Sequence, residues 1–340
     1  MSRFLSLSAA IAAVVLCPWS AFADGIDPLA HAPAGVMFEH AHPAGSWMVG
    51  LRLEESRHSG YLEGDRRIDD AVLAARGYSM RAESMTMRMA MFDLMWAPND
   101  RLTLMLMPQY MQMRMRMTAV AGAEDHGGHG DHGSGHAGVH DVSGIGDTVV
   151  AGIWRLNDDR ASQWLAALAI SAPTGDVDRR GDDGRFVHYG MQPGSGTWDA
   201  LPSLTYTRTM DDWQWGAQAQ ATRRLSGHNA SGYRLGNGWQ FTSFGAWRVR
   251  EGLSLSARVA LGDSGAIRGH YNGAHNHSAP EDLQPNYGGR FVEAGLGANA
   301  VFGALRTGLE WRVPLHSDVN GVQMERDHAI TLTLSRAFGT

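Results

Sequence analysis

The stretch that decides the fold reads MTMRMAMFDLMW (residues 85–96), APND (97–100) and RLTLMLMPQYMQMRMRM (101–117). In its first part Met85, Met87, Met89 and Met91 share one parity, while Phe92, Leu94 and Trp96 take the other. In its last part Met105, Met107, Met111, Met113, Met115 and Met117 share one parity, and Leu102, Leu104, Leu106 and Tyr110 take the other. Strict period two means strand, because successive side chains of a strand alternate between faces whereas a helix repeats every 3.6 residues. The Ala-Pro-Asn-Asp link is turn chemistry, so the two strands form a hairpin and their methionine rows lie side by side on one face.

Alternating runs of similar length recur on both sides of this hairpin, at 47–53, 148–155, 163–172, 201–209, 213–223, 239–250, 253–261, 290–302, 305–315 and 329–338. That makes about twelve segments, close to the 9–11 residues a tilted strand needs to cross a bilayer. Their links fall into two classes. Short ones rich in Asn, Asp, Gly and Pro (97–100, 157–160, 210–212, 250–252, 302–304) alternate with long polar ones (54–79, 118–144, 173–200, 225–238, 262–289, 316–327). Short turns on one side and long loops on the other are the signature of an up-and-down transmembrane barrel. The expectation is therefore an all-β, antiparallel barrel of about twelve strands in a bacterial outer membrane, with both termini in the periplasm and six long outer loops. Its surroundings would be outer-membrane lipid and lipopolysaccharide. A soluble β-sandwich is the rival, but it does not need two loop classes in alternation.

The start of the chain reads as an export signal. Arg3 precedes the apolar run 4–16, and Ala21-Phe22-Ala23 offers a small-x-small cleavage pattern, so residues 1–23 are expected to be removed. Cys17, the one cysteine, follows the bulky Leu16, which argues against a lipid-anchored reading; without it no disulfide or thiol chemistry remains. Residues 24–45 are expected to be a periplasmic lead-in, and 46–340 the barrel. No later run of about 18 apolar residues predicts a membrane helix. A formal net charge of -6 argues against a nucleic-acid partner. Eight tryptophans (Trp96, Trp154, Trp164, Trp213, Trp215, Trp239, Trp247, Trp311) fall in or at the ends of the runs, where rings of a barrel meet lipid headgroups.

Twelve of the 18 methionines lie between Met80 and Met117. Leu, Phe, Trp and Tyr on the opposite parity suit lipid contact. The preferred assignment therefore puts Met85, Met87, Met89, Met91, Met105, Met107, Met111, Met113, Met115 and Met117 on the lumen side, and Arg88, Arg114 and Arg116 outside. The inverse assignment, with arginine inside, stays open. A lumen face of thioethers has two readings: soft ligands for Cu(I)-like ions, or pliable apolar filling.

Beyond the hairpin, within an expected external loop 119–143, the chain reads HGGHGDHGSGHAGVH (126–140). Histidines at spacings of three and four, separated by glycine, cannot build a core. His126, His129, His132, His136 and His140, with Asp131 as oxygen donor, can gather round Cu or Zn. The bland alternative is a solvated or pH-sensitive loop. His270, His275 and His277 belong to another outer loop and join the set if the loops meet. His40 and His42 precede the first strand, on the periplasmic side, and are not expected to contribute.

Short motifs spread over the mature chain add a resemblance. They are HAPAGVM (31–37), SGIGD (143–147), APTGD (172–176), MQPGSGT (191–197) and GYRLG (232–236). Together these resemble the family of predicted outer-membrane barrels named for the meta pathway of phenol degradation. The resemblance implies a barrel with a transport role and brings neither a substrate nor catalytic residues. No spacing of Ser, His and Asp singles out a nucleophile and its base, so an enzyme is not expected. The function expected is a transporter or channel for small solutes, with Cu or Zn association through the histidine loop and methionine hairpin. A surface metal-binding barrel that transports nothing is the alternative.

Overall fold

A computed structural model describes residues 27–122, 138–159 and 161–339; the expected signal peptide and most of the histidine stretch lie outside them. The alternating runs form sixteen strands: β1 (Trp47–Gly64), β2 (Arg66–Ile68), β3 (Met80–Asn99), β4 (Leu102–Met107), β5 (Gln109–Ala119), β6 (Gly138–Ile145), β7 (Thr148–Arg155), β8 (Ser162–Ala172), β9 (Asp199–Met210), β10 (Trp213–Arg224), β11 (Tyr233–Arg234), β12 (Gly238–Arg250), β13 (Leu253–Ser264), β14 (Arg268–Gly269), β15 (Gly289–Phe302) and β16 (Leu305–Phe338). Among the described residues there is one short α-helix, α1 (Asp70–Ala75), capped by the Asp69 carboxylate, which accepts from the Val72 amide.

The wall closes on itself through antiparallel pairs in the order β1, β16, β15, β13, β12, β10, β9, β8, β7, β4, β3 and back to β1. These are eleven elements, against about twelve expected, because strands and passes across the wall do not match one to one. Pro108 has no amide to donate and splits one pass into β4 and β5, as Gly146 and Asp147 split the next into β6 and β7. In the other direction, β16 makes two passes. Residues up to Val319 pair with β15, and those from Val319 onward pair with β1. The fold-back lies at Asn320-Gly321, where glycine takes φ 58°, a conformation costly for other residues.

That tight reversal corrects the expectation of a long loop at 316–327. The 54–79 link also shrinks, because β1 continues as strand to Gly64. Long strand extensions beyond a membrane-spanning band explain both: the polar residues that mimic loop composition are paired backbone.

Outside, the barrel is apolar. Leu296 (62% exposed), Leu309 (52%) and Trp213 (56%) show the scale, and at the short-turn end Trp47 stacks on Trp96 and Trp213 on Trp247, each pair at 5.7 Å. Monomeric soluble proteins do not carry an apolar belt round a whole barrel, whereas a lipid-facing wall requires one. No helix among the described residues is long and apolar enough to cross a membrane.

Candidate functional site

The interior has two unlike walls. From β3 to β8 the inward positions are mostly apolar, with Asp93, Thr103 and His140 as polar exceptions. Met85, Met91, Met105, Met107, Met113, Met115 and Met117 are buried, and Met87, Met89 and Met111 are partly buried. They form two packed clusters. Nearer the chain ends, Met91, Met95, Met105 and Met107 pack with Phe38, Ile153 and Leu165. Nearer the loops, Met85, Met113, Met115 and Met117 pack with Met80, Val187 and Met191. Arg88, Arg114 and Arg116 are exposed on the other face, with Arg88 paired to Glu55 at 2.8 Å, Arg114 to Asp141 at 3.7 Å and Arg116 to Glu83 at 3.6 Å. Met95 shares the odd parity of the neighbouring methionines and could have been assigned with them; Met191 sits in a loop, where parity gives no signal.

From β9 to β16 the inward positions are polar: Ser203, Thr205, Gln214, Gln218, Thr242, Ser254 and Ser256 are buried. At their centre Arg258, whose side chain is 1% exposed, donates to Glu310 Oε1 at 2.7 Å and to Glu293 Oε1 at 2.9 Å. Arg312 bridges Glu54 (2.5 Å) and Glu293 (3.6 Å), and Arg326 also meets Glu293. Buried charges persist only when paired and hydrogen-bonded, and here each carboxylate has at least one guanidinium. Gly295 makes the room: a Cβ there would lie 2.4 Å from Glu310 Oε1.

Between the walls runs the N-terminal segment. Residues 24–45 are expected to precede the barrel as a periplasmic lead-in, but the described part, from Asp27, lies among inward-facing wall residues. The reason is chemical. HAPAG and its neighbours are too small and proline-rich to pair as a strand, so their carbonyls need side-chain donors, and the polar wall supplies them. Gln214 donates to Leu29 O (2.5 Å), Gln218 to Met37 O (2.6 Å), Ser254 to Pro28 O (3.1 Å), Arg155 to Ala41 O (3.0 Å) and Arg306 to Asp27 O (3.0 Å). Arg52 holds the carbonyls of Ala34 and Val36, and the Gly35 amide donates to Glu310. Thr103, in β4, accepts from the His42 amide at 2.9 Å.

Within this segment two imidazoles converge on one carboxylate. Glu39 Oε1 lies 3.0 Å from His31 Nδ1 and 2.7 Å from His40 Nδ1, and Oε2 accepts from the Ala32 amide at 2.9 Å. Burial, and then the neighbouring His40, push the His31 pKa down to about 4. Burial works to raise the Glu39 pKa, but the adjacent His40 and His31 outweigh it and hold the carboxyl well below its usual range.

At the loop end, chain between the barrel strands packs against itself. Phe186, Tyr189, Tyr233, Ile267 and Tyr271 form a buried cluster. Of the histidine-loop ligand set, His126, His129, Asp131, His132 and His136 lie outside the described residues. His140 faces inward on β6, opposite Met115, and stacks on His188 at 5.5 Å. His188 in turn meets Asp282 at 2.8 Å. His270 and His275 turn Nδ1 toward the carbonyls of Tyr271 and Gly273, and His277 lies against His275 at 4.4 Å.

In fold the chain is similar to an outer-membrane channel from Pseudomonas putida F1 (TM-score 0.58, 17% identity), over 89% of this chain and 98% of that one. Looser likenesses in shape are the β domain of the Bordetella autotransporter BrkA (TM-score 0.43, 11% identity, 86% and 100% covered) and the NanC porin (TM-score 0.41, 7% identity, 83% and 98% covered). No family model and no curated protein matches the chain. What the first of these structures establishes is the fold, a closed antiparallel barrel matching those of bacterial outer-membrane proteins.

Proposed function

We propose that this protein is an outer-membrane channel for small solutes, closed in the present conformation by its own N-terminal segment. The observation that carries the reading is how residues 27–46 are held. Their contacts with the wall are mainly side-chain-to-backbone hydrogen bonds from polar residues, not strand pairing, so the segment can be released without unzipping the barrel. Such bonds contribute only about 0.5–1.5 kcal/mol each, net of water. The fold likeness and the resemblance to the phenol-degradation barrels support the same reading, and the apolar outer belt supports lipid and lipopolysaccharide as surroundings.

The test is single-channel recording in planar bilayers. The intact protein is expected to show low or intermittent conductance, and a variant lacking residues 27–45 a several-fold larger, steadier one. A silent baseline for both would remove the proposal.

The methionine wall favours a soft cation such as Cu(I) among the solutes, since thioether sulfur prefers such ions. A role for His126, His129, Asp131, His132, His136 and His140 in holding Cu or Zn is a second, separable reading, supported by their composition. Calorimetry on protein with those five histidines replaced by asparagine tests it, and undiminished Zn or Cu uptake would remove it.

A further inference from the structure

We infer that His31, Glu39 and His40 form a divalent-cation site inside the barrel, one that takes a first-row transition ion such as Zn²⁺ or Cu²⁺ and fixes the N-terminal segment in place. The inference stands whether or not the barrel conducts.

Three donor atoms of the right kind, two imidazole nitrogens and a carboxylate oxygen, lie within 4.8 Å of one another. Two imidazoles with one carboxylate is a set that zinc and copper accept, leaving a further position for water or another oxygen. The carboxylate is already oriented: its second oxygen is held by the Ala32 amide, the kind of outer bond that fixes a ligand before the metal arrives.

The second observation is what surrounds the cluster. It borders a cavity with about 550 Å³ of empty space, open solvent included, which Arg52, Asp93 and Arg306 also line. His40 Nε2 and Asp93 Oδ1 are both buried without a hydrogen-bond partner. Each is costly when left unpaired in the interior. Coordination through Nδ1 moves the ring proton of His40 to Nε2, which creates a donor in the cavity where Asp93 lacks one. The carboxylates of Glu39 and Asp93 offset the ion's charge. Of the two nearby guanidiniums, Arg52 donates to the carbonyls of Ala34 and Val36, and Arg306 to that of Asp27.

Because the three ligands span residues 31–40 of one segment, an ion ties its two arms together and stiffens the plug from within.

The experiment uses full-length protein in detergent with His126, His129, His132 and His136 replaced by asparagine, so that the outer stretch does not compete. Co²⁺ serves as the probe, because its visible absorption reports coordination geometry and not merely binding. One equivalent is expected to give the spectrum of a low-coordinate nitrogen–oxygen site. Glu39→Gln, His31→Asn and His40→Asn are each expected to weaken binding about tenfold or more, and Glu39→Asp to retain part of it. Heat-modified migration on gels checks that each variant still forms the barrel. Should a variant fail to form it, Zn²⁺-dependent protection of the N-terminal segment from protease in the otherwise intact barrel decides instead, with no protection counting against the site. No one-equivalent spectrum, or a spectrum unchanged in the Glu39→Gln, His40→Asn double variant, overturns the inference. A silent bilayer with a normal cobalt spectrum overturns only the channel.

Discussion

Arg258 bonds two buried carboxylates at once, and its replacement by Leu leaves both Glu293 and Glu310 short of a partner. Removing one side of a buried pair costs about 3–5 kcal/mol. Arg258→Leu is therefore expected to lower unfolding stability in detergent by that amount, while Arg88→Leu on the outer face, at an exposed pair, shifts it by no more than about 1 kcal/mol. His31 supplies a pH prediction. Its pKa lies at about 4 in the folded segment against 6.5 when free, so the free form binds the extra proton. Anchoring is complete above 6.5 and is lost as pH falls through that window, by at most about 1.4 kcal/mol per unit. Thiol labelling of an Ala34→Cys variant, divided at each pH by the rate of an exposed reference thiol to remove the intrinsic loss of thiolate, should rise between pH 7 and pH 5, and His31→Asn should flatten that response. An unchanged relative rate across the window removes the prediction.

Elements show why part of this was legible. Met105 to Met117 alternate without a break across Pro108, so parity alone places six side chains on one face even though the proline divides the strand. The same parity rule reads Ile330, Leu332 and Leu334 as outward. It fails where polar residues sit on both faces, as at 316–327, because paired extensions beyond the lipid band have the composition of loops. It fails altogether for His31 and Glu39, eight residues apart in a segment with no period; only the wall that donates to their neighbours brings them together. The methionine rows separate packing from ligation. Met113 is fully buried, so Met113→Ala should cost about 2–5 kcal/mol. Met113→Leu conserves volume and should cost less than about 1.5 kcal/mol. If thioethers also hold soft ions, Met113→Leu keeps its stability yet takes up less Ag⁺, used as a Cu(I) surrogate. Equal uptake in the two proteins assigns Met113 to packing alone.

For the whole molecule, the two-class alternation of links was enough to read a closed barrel, whereas the contents of the barrel were not readable. Wall and plug are complementary only in three dimensions: residues 28–37 meet Gln, Ser and Arg side chains of separate wall strands. The outer belt makes its own prediction. Leu296 sits at the middle of β15 and faces outward. In lipid, Leu296→Arg should destabilise the barrel by about 2–4 kcal/mol, falling toward zero near the interfaces. Folding titrations in vesicles against the same substitution at Phe302, at the strand end, measure the gradient. A flat profile would place the belt somewhere other than a bilayer.

The segment inside the barrel joins the wall at Trp47 without a break, and that connection sets terms for anything that passes. A tethered occupant is never diluted: short flexible links hold it at an effective concentration on the order of millimolar. In the channel proposed above, a solute entering from the loop end would compete with an inhibitor that cannot diffuse away and returns the moment the interior empties. Opening would then be a contest with a fixed local rival, and each passage would end with the chain reinstating its own first residues.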